Sequence, residues 1–243
     1  MAPLSDARTL GCPYVRGMTD ISSIESSTDL QASAPSTAWL RIFAVVYDPF
    51  LWLGEMAGMR RRRRTLLSEA HGRVAEIGAG TGLNIAHYPE GITELLLCEP
   101  EPGMRGRLAR RLQRYAGVAR IIDAPAERLP LSDASVDTVV STLVLCTVDN
   151  PERALGEIAR VLRPNGKLLF IEHVRASSRF LAACQDYLLR PWRGFAGGCR
   201  CNRPTVDLMR NCGFTVAADD VEWRGMPPII RPLKVGRASL IAS

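Results

Sequence analysis

"VAEIGAGTGL", residues 74 to 83, is the stretch on which the rest of the chain is read. The residues up to Ile77 suit a short buried strand. The alternating Gly78, Gly80 and Gly82 suit a turn in which backbone comes close to a ligand, where a Cβ would collide. A strand that runs into such a turn belongs in a parallel sheet, so the flanking sequence should alternate strands with helices.

It does. After the strand at 73–77 come "ELLLC" at 94–98, "ARIIDA" at 119–124, "VDTVVSTLVLC" from 136 and "KLLFIEHV" from 167. These runs are nearly all apolar, as expected of strands covered on both faces. Between the last two, "DNPERALGEIARVLRPNG" reads as an amphipathic helix. Ala154, Leu155, Ile158, Val161 and Leu162 share a face, Asp149 or Asn150 caps it, Pro151 opens it and "RPNG" ends it. "RPTVDLMRNCGF" is a further helix, followed by strands near 214–222 and 234–242. The expected architecture is α/β: one doubly wound, mostly parallel seven-stranded sheet over residues 37–243.

Upstream, "WLRIFAVVYDPFLWLGEMAGMRRRRRTLL" reads as two helical pieces broken at Pro49, with Asp48 as the cap of the second. Residues 37–70 would then form lid helices. The run Arg60 to Arg64 covers every side of a helix, which suits a solvated end or contact with an anion or lipid headgroup. Residues 1–36 are rich in Ser, Thr and Asp without periodicity and are expected to be a disordered leader rather than a signal peptide; Met18 offers an alternative start.

The chain has 243 residues and a net charge of +6, too mild a balance to call for nucleic acid. Its seven cysteines are odd in number and set no disulfide framework, which suits reduced thiols in the cytoplasm. Cys199 and Cys201 are one residue apart and His71, His87 and His173 lack ligand spacing, so no metal is expected. No stretch approaches the roughly 20 apolar residues of a membrane span.

The glycine spacing carries chemistry. A dinucleotide fingerprint is Gly-x-Gly-x-x-Gly, aimed at a pyrophosphate. Here the order is Gly-x-Gly-x-Gly with Ala79 between the first two, and Glu76 stands two residues before Gly78. An acid at that lip repels a pyrophosphate and suits a positive ligand, such as the amino group or sulfonium of S-adenosylmethionine. In "LLLCEP", Glu99 lies 21 positions after Gly78 (99 − 78), where a carboxylate can accept from both ribose hydroxyls, and Pro100 follows it.

With those residues in view, the chain resembles class I S-adenosylmethionine-dependent methyltransferases. "VAEIGAGTG" is similar to their first motif, "CEP" to the second, "APAERLPLSDASVD" to the adenine-side segment and "RVLRPNGKLLFIEHV" to the element entering the fifth strand. Many relatives have an acid for the adenine amino group where this chain has Pro125, so the resemblance leaves that contact to Ala126 or Glu127. A narrower likeness, in "DTVVSTLVLCTVDNPERALGEIARVLRPNG", "EHV", the segment near 190–203 and "IIRPLKVGRA", is to the methyltransferase-like seven family. Its characterised animal members are membrane-associated thiol S-methyltransferases. Their hydrophobic N-terminal anchor is replaced here by "YDPFLWLGE", similar to the lid of bacterial quinone or phospholipid methyltransferase-like relatives.

The resemblance implies methyl transfer to a small lipophilic acceptor, a thiol before a quinol or phospholipid amine. Peripheral membrane contact through the N-terminal helix and Arg60 to Arg64 is part of the same expectation, and the oligomeric state stays open. A nicotinamide oxidoreductase is disfavoured by the glycine spacing. A non-catalytic cofactor-binding module is disfavoured by the intact motifs, with Pro125 as its one support. His173, at the end of the fifth strand, is the candidate base. Glu172 beside it should face the other way. Leu143, Leu145 and Cys146 are expected as cavity wall, with nothing basic beside Cys146. The acceptor pocket is expected from Tyr47, Phe50 and Trp52 and from an irregular insert at 174–203 that carries Tyr187, Trp192 and Phe195.

Overall fold

A computed structural model describes residues 37–241; the expected leader at 1–36, with Cys12 and Met18, lies outside the described residues. Its centre is a seven-stranded sheet. The strands are β1 (Gly72–Ile77), β2 (Ile92–Cys98), β3 (Ala119–Ile122), β4 (Val136–Thr142), β5 (Leu162–His173), β6 (Phe214–Glu222) and β7 (Pro232–Leu240). Their order is β3-β2-β1-β4-β5-β7-β6. The first five are parallel, and β7 runs antiparallel to both β5 and β6.

Apolar runs become strands here because the side-chain period of two feeds two cores at once. Leu95 and Leu97 of β2 pack on one face with Val74, Val140, Leu169 and Ile171, beneath Met59, Leu66, Leu67 and Leu108. Leu96 points the other way and joins Ala75, Ile77, Val139, Leu168 and Phe170. Over that second face lie α4 (Pro151–Val161) and α6 (Thr205–Asn211), through Leu155, Ile158, Val161 and Met209. Burying each such side chain is worth roughly 1.5–3 kcal/mol. The first face is covered by α1 (Thr37–Gly54), α2 (Arg60–Leu67) and α3 (Pro102–Leu112). Asn150 caps α4 by accepting from the Arg153 N–H at 2.8 Å.

The chain passes from β1 to β2 on one side and returns to β4 on the other. The carboxyl ends of β1 and β4 therefore flank the crevice where such sheets bind ligands. Gly78 and Leu143 stand at that crevice, one just past each strand.

Four expectations are corrected. First, α1 runs unbroken through Pro49, and the chain turns instead at Gly58, φ +123°, within a wide turn at Glu55–Met59. Proline removes one N–H near Val45, whose side chain is exposed, whereas the turn needs a backbone that only glycine adopts freely. Asp48 caps nothing; it accepts from Thr81 Oγ1 at 2.7 Å and pairs with Arg111 at 2.6 Å, tying α1 to the glycine loop and α3. Second, the loop opens onto a single 3-10 turn, Ile85–His87, rather than a full helix. Pro89 holds Tyr88 extended at ψ 139° and ends it. Third, the segment 174–203 is largely regular: α5 (Arg179–Phe195) is a helix of 17 residues, capped by Ser178, and Pro191 near its end hides it from sequence. Fourth, the Arg60 to Arg64 run is not wholly solvated. Arg63 is buried, donating to Glu55 at 3.0 Å and to Asn84 Oδ1 at 2.8 Å.

Candidate active site

A cavity of about 350 Å³ opens at the crevice, within the size range of small-molecule sites. One end is built from consecutive loop residues. Gly78 (φ +54°) and Gly80 (φ +56°) follow β1, and both line it. A Cβ on Gly78 would stand 2.6 Å from Val144, so glycine lets the first loop close against the turn after β4. A Cβ on Gly80 would meet only the Gly78 carbonyl, at 3.9 Å, and would fill the cradle itself. Glu99 lies across from this loop. Its carboxylate accepts from the Gly80 N–H at 2.7 Å and the Glu101 N–H at 2.9 Å, while burial pushes its pKa above the usual carboxylate range. Pro100, Pro125, Ala126, Glu127, Leu143 and Asp149 complete this end. The donor set suits an adenosine: a cradle without side chains and a buried acid with acceptor capacity to spare.

Seven of the expected cofactor residues thus line one cavity: Gly78, Gly80, Glu99, Pro100, Ala126, Glu127 and Leu143. Three do not. Glu76 is buried behind the loop, not on the rim, with its carboxylate taken by Asn84 Nδ2 at 2.9 Å and the Tyr88 hydroxyl at 2.7 Å. Burial raises its pKa to about 7, against the two hydrogen bonds. It and Ala79 face a side cavity of about 20 Å³, room for one water, which shares Gly78 and Gly80 with the main one. Gly82 is a packing residue; a Cβ there would sit 2.8 Å from Ile85 and from Leu108.

The other end is assembled from distant segments: Tyr47, Phe50 and Leu51 of α1, Cys146, His173, Trp192 of α5, Cys199, Trp223 and Ile230. Phe50 stacks near Trp192 (6.4 Å) and edge-on to Phe195 (5.6 Å), closing α1 on α5. Trp52 and Tyr187 do not contribute; they are 60% and 86% exposed. Trp223, which sequence reasoning missed, packs 5.7 Å from the His173 ring.

His173 ends β5 and is buried. Its Nδ1 lies 3.4 Å from Cys146 Sγ and 3.5 Å from Cys199 Sγ, and the two sulfurs are 3.8 Å apart. The expectation that nothing basic accompanies Cys146 is therefore wrong: Cys146 and His173 are 27 residues apart, and only the pairing of β4 with β5 brings them together. The hydrogen bond with Cys199 and burial push the Cys146 thiol well above its ordinary range.

Glu172 faces away from His173, as alternation requires, yet it shapes the site from behind. Its carboxylate accepts from Ser141 Oγ (2.6 Å) and from the N–H groups of Val144 (3.0 Å), Leu145 (3.0 Å) and Cys146 (3.1 Å). These bonds offset the cost of the left-handed backbone at Leu143, φ +62°. Arg203 grips the same turn from outside through the carbonyls of Leu145 and Val148. No local motif announces either residue.

A methyltransferase-domain family model matches residues 75–170. The chain is 35% identical over 190 residues to human thiol S-methyltransferase TMT1B, covering 73% of this chain and 76% of that one. It is 31% identical over 224 residues to a malonyl-[acyl-carrier protein] O-methyltransferase of Methylococcus capsulatus, covering 84% and 76%. Among solved structures, an S-adenosylmethionine-dependent methyltransferase of Thermotoga maritima, described as a possible histamine N-methyltransferase, superposes with a TM-score of 0.63 at 26% identity, covering 85% of this chain and all of that one.

Proposed function

Since the chain belongs to the class I S-adenosylmethionine-dependent methyltransferases, we propose that it methylates a lipophilic thiol at the aromatic end of its cavity. S-adenosylmethionine supplies a methyl group on a sulfonium, with its own leaving group built in. The protein's share is alignment, desolvation and control of the acceptor's charge.

On this reading Gly78 and Gly80 receive the cofactor along backbone, Glu99 holds its ribose, and Ala126 and Glu127 flank its adenine. Pro100 and Leu143 serve as walls. Glu76, with Ala79, serves the amino group through the side cavity, and Gly82 keeps the loop packed. His173 is the catalytic residue, keeping the acceptor sulfur in its anionic form.

The observation that carries the thiol over other acceptors is the composition of the far wall. Tyr47, Phe50, Cys146, His173, Trp192, Cys199, Trp223 and Ile230 include no carboxylate to attract an amine. A thiol needs neither a carboxylate nor a strong base, because its pKa near ~8.5 already leaves a nucleophilic fraction ionised. The similarity to TMT1B supports the same acceptor.

Two further features suit delivery from a membrane surface. Val45, Trp52, Leu53 and Met56 of the lid segment are exposed, and Arg60, Arg61 and Arg64 are exposed just beyond them. No helix among the described residues is long and apolar enough to cross a membrane, so the contact proposed is peripheral. Free thiols at all six described cysteines support a cytoplasmic setting.

The test is S-adenosylhomocysteine formation against alkyl thiols, quinols and phosphatidylethanolamine at matched concentration. Thiols are expected to lead in kcat/KM by at least about tenfold, and His173→Ala to lower kcat by about 10²-fold with cofactor Kd unchanged. Faster turnover of the lipid amine or the quinol would overturn the acceptor.

A further inference from the structure

Cys146, His173 and Cys199 come from the turn after β4, the end of β5 and the segment after α5. All three are buried, and all line the acceptor end of the cavity. Their three ligand atoms form a triangle with sides of 3.4, 3.5 and 3.8 Å.

Those sides have a specific meaning. Zinc binds thiolate at about 2.3 Å and imidazole at about 2.0–2.1 Å, with tetrahedral angles. The edges of such a tetrahedron are about 3.8 Å between two sulfurs and about 3.6 Å between sulfur and nitrogen. The observed triangle has those dimensions, so one ion could touch all three atoms without any chain movement. In the metal-free protein a hydrogen-bond chain, from the Cys199 thiol to Cys146 Sγ and from the Cys146 thiol to His173 Nδ1, holds the same groups, but it leaves the 3.5 Å approach of Cys199 Sγ to Nδ1 without a proton to share. Among the described residues no fourth His, Cys, Asp or Glu joins the group. Three protein ligands and an open fourth position are the mark of a catalytic rather than a structural zinc site.

We infer that Cys146, His173 and Cys199 bind one Zn²⁺ whose open fourth position faces the cavity and takes the sulfur of the acceptor thiol. The inference rests on the thiol reading above for its substrate, though not for the metal. A water holds the fourth position at rest. The acceptor R–SH displaces it and binds as thiolate, its proton leaving to solvent. A sulfur lone pair then forms the bond to the methyl carbon as the bond from that carbon to the cofactor sulfonium breaks. The products are R–S–CH₃ and S-adenosylhomocysteine, with one proton released overall. The neutral thioether is the weaker ligand, and water replaces it. His173 thus stabilises the thiolate through the ion, while Glu172 sets the turn that presents Cys146.

The full chain, purified under reductant and treated with chelator, is titrated with Zn²⁺ against a competing chromophoric chelator. Wild type is expected to take up one ion per chain tightly. Cys146→Ser and Cys199→Ser should each weaken uptake by at least about 100-fold, while Cys184→Ser, outside the cluster, should leave it unchanged. Cofactor affinity and circular dichroism report that each variant is folded. Cobalt substitution should give thiolate-to-metal charge-transfer and tetrahedral d–d bands, and adding an alkyl thiol should shift them. Uptake by wild type no tighter than by the two serine variants overturns the site. Full thiol methylation by the metal-free protein overturns its role and leaves the thiol reading intact. A metal-loaded protein that methylates amines, with no thiol-induced spectral change, overturns the acceptor step while the ion site stands.

Discussion

The two ends of the cavity are made of different materials. At the end lined by the glycine loop the wall is backbone with one buried acid, and the residues are near neighbours in sequence: Gly78 and Gly80 in one loop, Glu99 and Pro100 in the next. At the aromatic end the wall is side chains, delivered by α1, the turn after β4, β5, α5 and the segments around Cys199, Trp223 and Ile230. The first end is rigid because strand ends fix it: the Ala79 N–H donates to Cys98 O at 2.9 Å, joining the loop directly to β2. The second is held by buried polar groups behind it, Glu172 and Arg203, and by aromatic contacts between α1 and α5. On the proposed function, donor recognition can then be strict while acceptor shape is set by many replaceable side chains. Asp48 couples the two ends, since it ties α1 to Thr81 and Arg111 beside the glycine loop.

The contrast is broken most directly at Glu99. If that end works through one buried acid, Glu99→Ala removes two hydrogen bonds to an ionised group, each worth about 1.5–3 kcal/mol. Calorimetry should then show S-adenosylmethionine binding about 10²- to 10⁴-fold more weakly. An affinity within threefold of wild type would mean that the ribose is held elsewhere.

Glu172 sharpens the contrast from the other side. Glu172→Gln keeps the shape but sets an amide N–H among the donors of Val144, Leu145 and Cys146, so at least one of them loses its partner. A buried N–H left unpaired costs about 1–3 kcal/mol. The turn that carries Cys146 should loosen, with kcat/KM for the acceptor falling about 10- to 30-fold and cofactor Kd changing less than about threefold. Equal losses at both ends would show that the turn serves the cofactor as much as the acceptor.

The same division explains what could be read before the fold was known. The strands of a mostly parallel sheet, α4 and the glycine loop are written in short periodic runs and in spacings of a few residues. Glu99 was reachable because one strand and one loop separate it from Gly78. Cys146, His173 and Cys199 were not, because the partners stand 27 and 26 positions apart, and it takes the pairing of β4 with β5 and the return of the chain after α5 to close the distance. Trp52 and Tyr187 misled for a related reason. An aromatic in the right segment still has to fall on the right face of its helix, and α1 and α5 turn these two to solvent. Pro49 and Pro191 misled because each lies inside a helix that tolerates it. Glu76 was assigned the right loop and the wrong depth. Asn84 and Tyr88, which draw it inward, look like ordinary polar residues in sequence.

That depth makes the smallest but most specific prediction. Burial holds the Glu76 carboxyl protonated up to about pH 7, whereas the unfolded chain ionises it near the ordinary carboxyl value of 4.5. The folded state therefore binds the extra proton. Stability of the free protein should fall as pH rises from about 4.5 to about 7, by on the order of 3 kcal/mol, and then level off. A cationic ligand reverses the preference, because a positive charge beside the side cavity favours the carboxylate. Below pH 7, binding of S-adenosylmethionine must then expel a proton, so its affinity should rise by up to about tenfold between pH 6 and pH 8. Glu76→Gln has no proton to lose and should bind with a flat pH profile over that range. A wild-type profile equally flat, beside the expected stability slope, would place the cofactor's positive charge away from Glu76 and leave the acid a purely structural role.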